Sequence, residues 1–228
     1  MPITPSDADG GRSANRTDYR RSFVNRSHAI LKNGYDRLDS ASFAGSEEED
    51  ITGELSRAMQ GSLEDLQAPL WAKNFSVIEE ERVHDDKRLG KRRLRIDIAV
   101  IHHQRGPRPR FRFEAKRLRD TDSRRDYLGS EGLGCFLDGR YAKDDPDAGM
   151  LGYVQSDSPA THVVALREAL ARDSKRYQIH EGGEWREHPI TKGLSTFQSV
   201  HFRTNIGSQI IIFHTLLDFC LTTGTGGN

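Results

Sequence analysis

Apolar positions along the chain alternate between two spacings, and the spacing changes mark out the elements. Within residues 17–40, Phe23, Val24, Ala29, Ile30 and Leu38 fall at roughly helical intervals, with Gly34 weakening the middle enough to allow two short helices. "DITGELSRAMQGSLEDLQAPLW" predicts a helix from about Asp50 to Leu66, with Ile51, Leu55, Ala58, Met59, Leu63 and Leu66 as its apolar stripe and Pro69 as its stop. Three strand patterns follow: "FSVIEEERVH" (75–84), "RRLRIDIAVIHH" (92–103) and "RPRFRFEAKRL" (108–118). The connections "DDKRLGK" and "QRGP" carry the residues of hairpin turns, so the three strands read as an antiparallel meander.

The rest of the chain predicts a helix around 130–142, a short buried strand at 150–155, and a helix opened by Ser158 as N-cap and Pro159 in the first turn. Two late strands are expected at 196–204 and 208–219. The Pro-, Gly- and Ser-rich residues 1–16 predict a disordered N-terminus, 17–45 a helical extension, 46–221 one α/β domain, and 222–228 a flexible tail.

Composition narrows the class. No run of 18 apolar residues exists, so no membrane span is expected, and "MPITPSDADGGRSANR" lacks the apolar core of a secretory signal. Cys135 and Cys220 lie far apart, which fits a reducing cytoplasm rather than a disulfide framework. The formal net charge is zero, yet residues 82–125 hold 16 basic and 6 acidic residues, a surplus of +10 offset by −10 elsewhere. Such a segment suits a polyanionic partner; the plainer reading is a solvated, charged hairpin.

Candidate chemistry lies within that segment. On a strand Glu114 and Lys116 share one face, while Phe111, Phe113 and Ala115 share the other. In the preceding strand Asp97 lies with Arg95, Ala99 and Ile101 on the side opposite Ile96, Ile98 and Val100. Neighbouring strands are about 5 Å apart, so Asp97 and Glu114 at one level can reach a single hard cation, with Lys116 further along the same face. Mg²⁺ or Mn²⁺ suits such oxygen donors and would activate a bound water. The alternative for Asp97 and Lys116 is a cross-strand salt bridge on a solvated face.

"IDI" at Asp97, followed 17 residues later by "EAK" at Glu114–Lys116, resembles the motif of the PD-(D/E)xK phosphodiesterase superfamily. So does the order of elements: an acidic helix, a three-strand meander, then a helix and another strand, over roughly residues 50–175. Ile96 stands where the name-giving proline would be. The resemblance implies a restriction-endonuclease-like core, a central mixed sheet with an antiparallel meander flanked by helices. It also implies a metal-dependent nuclease in which Asp97 and Glu114 hold the ion and Lys116 is a base or phosphate contact. Many members carry a further acid on the first core helix. Glu54 is the best match here, with Glu48, Glu49 and Asp50 as rivals.

Arg92, Arg93, Arg95, Arg110, Arg112, Arg117 and Arg119 surround this motif, and Arg140 and Tyr141 follow in "GLGCFLDGRY". Near a phosphodiesterase centre they would track a nucleic-acid backbone; otherwise they keep an exposed hairpin soluble. His102 and His103 point to opposite faces, and His201 and His214 read as hydrogen-bonded structural histidines. There is no GxSxG nucleophile and no GxxxxGK[ST] phosphate loop, so any ATP dependence must come from an ATPase or helicase partner. The expected function is a nuclease acting in restriction, anti-phage defence or repair, with a homodimer suited to double-strand cutting. The alternative is a non-catalytic nucleic-acid-binding or assembly subunit.

Overall fold

The alternating segments become the strands of one sheet. The computed structural model describes residues 7–83, 94–103 and 108–221, with side chains from Thr17 onward. The expected turns at 85–91 and 104–107, Arg92, Arg93 and the expected tail at 222–228 lie outside the described residues. The strands are β1 (Phe75–Arg82), β2 (Arg95–His102), β3 (Arg110–Leu118), β4 (Asp147–Val154), β5 (Arg186–Glu187), β6 (Ser195–Arg203) and β7 (Ser208–Asp218). They form a mixed sheet in the order β1-β2-β3-β4-β7-β6-β5. The meander β1–β2–β3 is one flank of this sheet; β3, β4 and β7 run parallel, and β6 and β5 return antiparallel.

β4 lies between two parallel neighbours and is buried along its whole length. Its sequence, DAGMLGYV, therefore lacks alternation, as expected of a strand covered on both faces. Only its apolar half was visible from pattern. The two-residue β5 has no periodicity to read.

Helices α1 (Asp7–Tyr35) and α2 (Glu48–Glu64) cover one face, and α3 (Thr121–Leu128), α4 (Leu133–Leu137) and α5 (Pro159–Arg172) the other. Each face has its own apolar cluster. Ile51, Leu55 and Met59 of α2 meet Ile98, Val100, Phe111 and Phe113 on the first face. Tyr127, Phe136, Leu166 and Leu170 meet Met150, Ile210 and Ile212 on the second. Ser158 caps α5 by accepting the Thr161 N–H at 3.2 Å, as its sequence predicts. The helix expected around 130–142 shrinks to the five residues of α4, and α3 before it was not expected; the glycines at 129 and 132 lie between them.

α1 departs furthest from expectation. It starts at Asp7, inside the stretch expected to be disordered, and runs unbroken through Gly34. Gly34 is where α2 crosses: a Cβ there would lie 2.8 Å from the Met59 backbone nitrogen. α1 is also a layer of the domain rather than an extension. The His28 ring sits 5.2–5.6 Å from Phe111, Phe113 and Phe213. Arg20 pairs with Asp147 at the start of β4, and the Tyr35 hydroxyl donates to the Asp218 carbonyl at 2.6 Å. Among the described residues no helix is long and apolar enough to cross a membrane.

Two glycine substitutions test the α1–α2 crossing by thermal unfolding. Gly34→Ala forces the helices apart and costs about 1–3 kcal/mol. Gly61→Ala meets nothing closer than Arg37 Nη1 at 4.0 Å, and helix propensity makes it stabilising by up to about 1 kcal/mol. Equal melting temperatures for Gly34→Ala and the parent would refute the close approach.

Candidate active site

β2 and β3 pair from Ile101↔Arg110 to Ile98↔Phe113, and the ladder stops there. From Phe113 to Leu118, β3 pairs with β4. Asp97 and Glu114 stand at the point where β3 parts from β2. The Asp97 carboxylate bridges the gap, accepting the Ala115 N–H at 2.7 Å through Oδ2. A side-chain oxygen thus satisfies an N–H beyond the last paired residue of the ladder.

Lys116 turns back toward this point instead of extending along the sheet. Its ammonium donates to Glu48 Oε1 at 2.7 Å, to the Ala115 carbonyl at 2.7 Å and to Glu114 Oε1 at 3.2 Å. All three ammonium protons are thereby engaged. Glu48 is the first residue of α2, and its Oε2 accepts the Arg117 N–H at 3.1 Å. Glu114 is only 5% exposed, and its Oε2 is buried without a hydrogen-bond partner.

One ammonium among three carboxylates leaves an excess of negative charge in a poorly solvated place. Burial pushes the Asp97 carboxyl up to about 6, opposed by Lys116 and the Ala115 N–H. Burial, then the charge of Asp97, pushes Glu114 up to about 9 despite Lys116. Burial disfavours the Lys116 ammonium, but Glu114, Glu48 and Asp97 outweigh it and hold its pKa above the ordinary lysine value. At neutral pH, therefore, Lys116 is charged and Glu114 retains a proton.

The sequence left Glu54 as the favoured helix acid, with Glu48, Glu49 and Asp50 as rivals. Glu48 makes the contacts. Glu54 is half-exposed and pairs with Arg57 at 2.5 Å. The readable signal was phase: Glu48 lies three, four and seven residues before Ile51, Thr52 and Leu55, all buried. One helical turn in, Thr52 Oγ1 lies 3.0 Å from the buried Tyr153 hydroxyl, so the same face continues as a polar contact beneath the acid.

Most residues expected to hold nucleic acid serve the protein itself. Arg95 pairs with Glu80 at 2.5 Å, and Arg112 pairs with Glu81 at 2.8 Å and with Asp145. Arg117 pairs with Glu47 at 2.7 Å, and Arg140 with Glu131 at 3.1 Å. Tyr141 is buried and donates its hydroxyl to the Arg95 carbonyl at 2.5 Å, bracing β2 two residues before Asp97. Arg119 is exposed and has no carboxylate partner among the described residues. His201 and His214 are joined through Ser199 Oγ at 2.7 and 2.8 Å, with Tyr127 at 3.0 Å from His214. Burial holds both imidazoles below the usual histidine range, as suits a neutral structural chain.

The chain matches no family model, no curated protein and no solved structure. Function must therefore be argued from the site.

For a divalent cation the fit is one of chemistry. Asp97, Glu114 and Glu48 are hard oxygen donors, and Glu114 Oε2 is buried with no hydrogen-bond partner. Among the described residues no three His, Cys, Asp or Glu side chains are already gathered as a cation cage, and Lys116 supplies the positive charge between Glu48 and Glu114.

The raised carboxyls carry a signed stability prediction. A group with a raised folded-state pKa contributes fully below its unfolded pKa and loses that contribution as pH rises through the folded value. In chelator, stability should fall between pH 5 and 9 as Asp97 and Glu114 are forced to ionise. Glu114→Gln should flatten this fall and melt higher than the parent at pH 9 by at least about 2–4 °C, the equivalent of roughly 1 kcal/mol. Parallel Tm–pH curves for the two proteins would refute the protonated Glu114.

Proposed function

We propose that this protein is a divalent-cation-dependent nuclease that hydrolyses phosphodiester bonds in nucleic acid, DNA in the first instance. The observation that carries the reading is that Asp97 and Glu114 stand where β2 and β3 part, with Lys116 bonded to Glu114 and to Glu48 from α2. The resemblance of "IDI…EAK" to PD-(D/E)xK nucleases, with their restriction-endonuclease-like core, points the same way. Roles in restriction, anti-phage defence or repair follow from that resemblance alone.

Asp97 and Glu114 would hold Mg²⁺ or Mn²⁺, with Glu48 as the third carboxylate. The bound ion would lower the pKa of a water and offset charge developing on phosphate oxygens. For Lys116 the raised pKa favours one role over the other. An ammonium held charged among Glu48, Asp97 and Glu114 is a poor base, and it is well suited to contact a non-bridging phosphate oxygen. Tyr141 and Asp97's bond to Ala115 keep the β2 carboxylate in place. Among the described candidates, Arg119 is exposed without a carboxylate partner and could meet a phosphate backbone.

A second reading has its own support. Five of the candidate arginines, Arg95, Arg110, Arg112, Arg117 and Arg140, are tied to carboxylates, and Lys116 is closed onto Glu48 and Glu114. A binding or assembly subunit on this fold would look the same, and would bind nucleic acid with a salt-dependent affinity and no metal-dependent products.

Incubation with plasmid, linear and single-stranded DNA and with RNA, in Mg²⁺ or Mn²⁺, separates the two. The nuclease reading expects cleavage, lost by about 100-fold or more in Asp97→Ala and Lys116→Ala proteins that remain folded. Glu48→Ala should lose about tenfold or more, and Glu54→Ala should stay within about twofold. Folded Asp97→Ala and Lys116→Ala proteins that cut like the parent would refute the site.

A further inference from the structure

Glu48 is the one acid of the cluster that the sheet does not carry. It arrives on the connection between α1 and α2, and that connection is stitched to the strand ends. Gln155 follows the last residue of β4, and its backbone N–H continues the ladder by donating to the Leu118 carbonyl at 3.0 Å. Its side-chain nitrogen donates to the Phe43 carbonyl at 2.8 Å and to the Ser46 carbonyl at 2.9 Å. Arg117 reaches the same Ser46 carbonyl at 3.4 Å and pairs with Glu47. Two residues beyond Ser46, the Glu48 carboxylate meets Lys116 and the Arg117 N–H.

We propose that Gln155 is a positioning residue of the candidate active site: it clamps the turn before α2 and so sets the Glu48 carboxylate against Lys116. The chemistry of the clamp calls for an amide. Two carbonyls need two N–H donors from one short side chain, which a primary amide supplies and a carboxylate or hydrocarbon does not. Gln155 Oε1 is buried with no partner, so the residue's hydrogen bonding here is all donation. The clamp's anchors are tied to the strand that carries the site: Lys116 and Arg117 are neighbours on β3, and Gln155 follows the end of β4, the strand paired with β3. Movement of the Phe43–Ser46 turn is thereby movement of Glu48 relative to Glu114.

The metal arm of the test rests on the nuclease reading; the exchange arm does not. Mn²⁺ affinity is measured by calorimetry for the full chain, for Gln155→Leu and Gln155→Asn, for Glu48→Gln and for the double variants. Both Gln155 variants should bind Mn²⁺ about tenfold more weakly than the parent. In the Glu48→Gln background the same changes should matter by less than about twofold, because Gln155 acts through Glu48. Gln155→Asn, one methylene shorter, covers the case in which Gln155→Leu does not fold. An undiminished affinity in a folded variant, or a full loss that persists without Glu48, overturns the proposal. Amide exchange at 47–49 gives the second readout and should quicken by about tenfold in either variant without metal. If the parent takes up no Mn²⁺, the nuclease reading fails, and exchange alone decides: quickened exchange upholds the clamp, unchanged exchange overturns it.

Discussion

Two strands that part company must do something with the backbone groups they abandon, and here a carboxylate takes up one of them. Asp97 accepts the Ala115 N–H at the level where the β2–β3 ladder ends, and everything nearby follows from that acid being there. β3 is released to run parallel with β4, so Glu114 becomes buried beside Asp97. Two acids so placed repel, and Lys116 folds back to relieve them. A third acid, Glu48, then shares the same ammonium. The arrangement remains short of positive charge, which is why a proton stays on Glu114 and why a small hard cation is the chemically apt addition.

The cluster also draws on both helical layers. α2 supplies Glu48, and the burial of Ile51 and Leu55 beneath it fixes the helix in rotation. On the other face, the loop after α4 supplies Tyr141, whose hydroxyl holds the β2 backbone ahead of Asp97. Side chains that look from sequence like a nucleic-acid surface are largely spent on this scaffold. Arg112 between Glu81 and Asp145 joins the edge of the meander to the loop leading into β4. A basic segment in sequence is therefore a cross-linked one in space.

Legibility followed physical cause. Strands that mix polar with apolar positions, such as β3 and β6, announce themselves by alternation, and α5 by its Ser158 cap. β4 does not, because burial on both faces removes the polar half of the pattern. α1 was misread at Gly34, where glycine serves a helix crossing rather than a break, a matter of tertiary distance that no local rule contains. Within the site, Asp97, Glu114 and Lys116 could be grouped because a strand's period of two is rigid. Glu48 could be told from its neighbouring acids only by its phase with the buried Ile51 and Leu55, once the helix is taken to begin at Glu48 rather than Asp50. The arginines were over-assigned, since their partners Glu47, Glu80, Glu81, Glu131 and Asp145 are scattered along the chain.

The seating of α1 has a consequence for synthesis. His28 rests against Phe213, and Tyr35 bonds to the Asp218 carbonyl, so a helix made before the meander contacts a strand made well after it. Until β7 has emerged, the meander covers α1 only in part: His28 meets Phe111 and Phe113 but still lacks Phe213. A vectorial order of assembly follows: the α1–α2 hairpin waits, β1 to β4 gather on it, and arrival of β7 closes the layer, so a nascent chain stalled before residue 208 leaves that face open to chaperones.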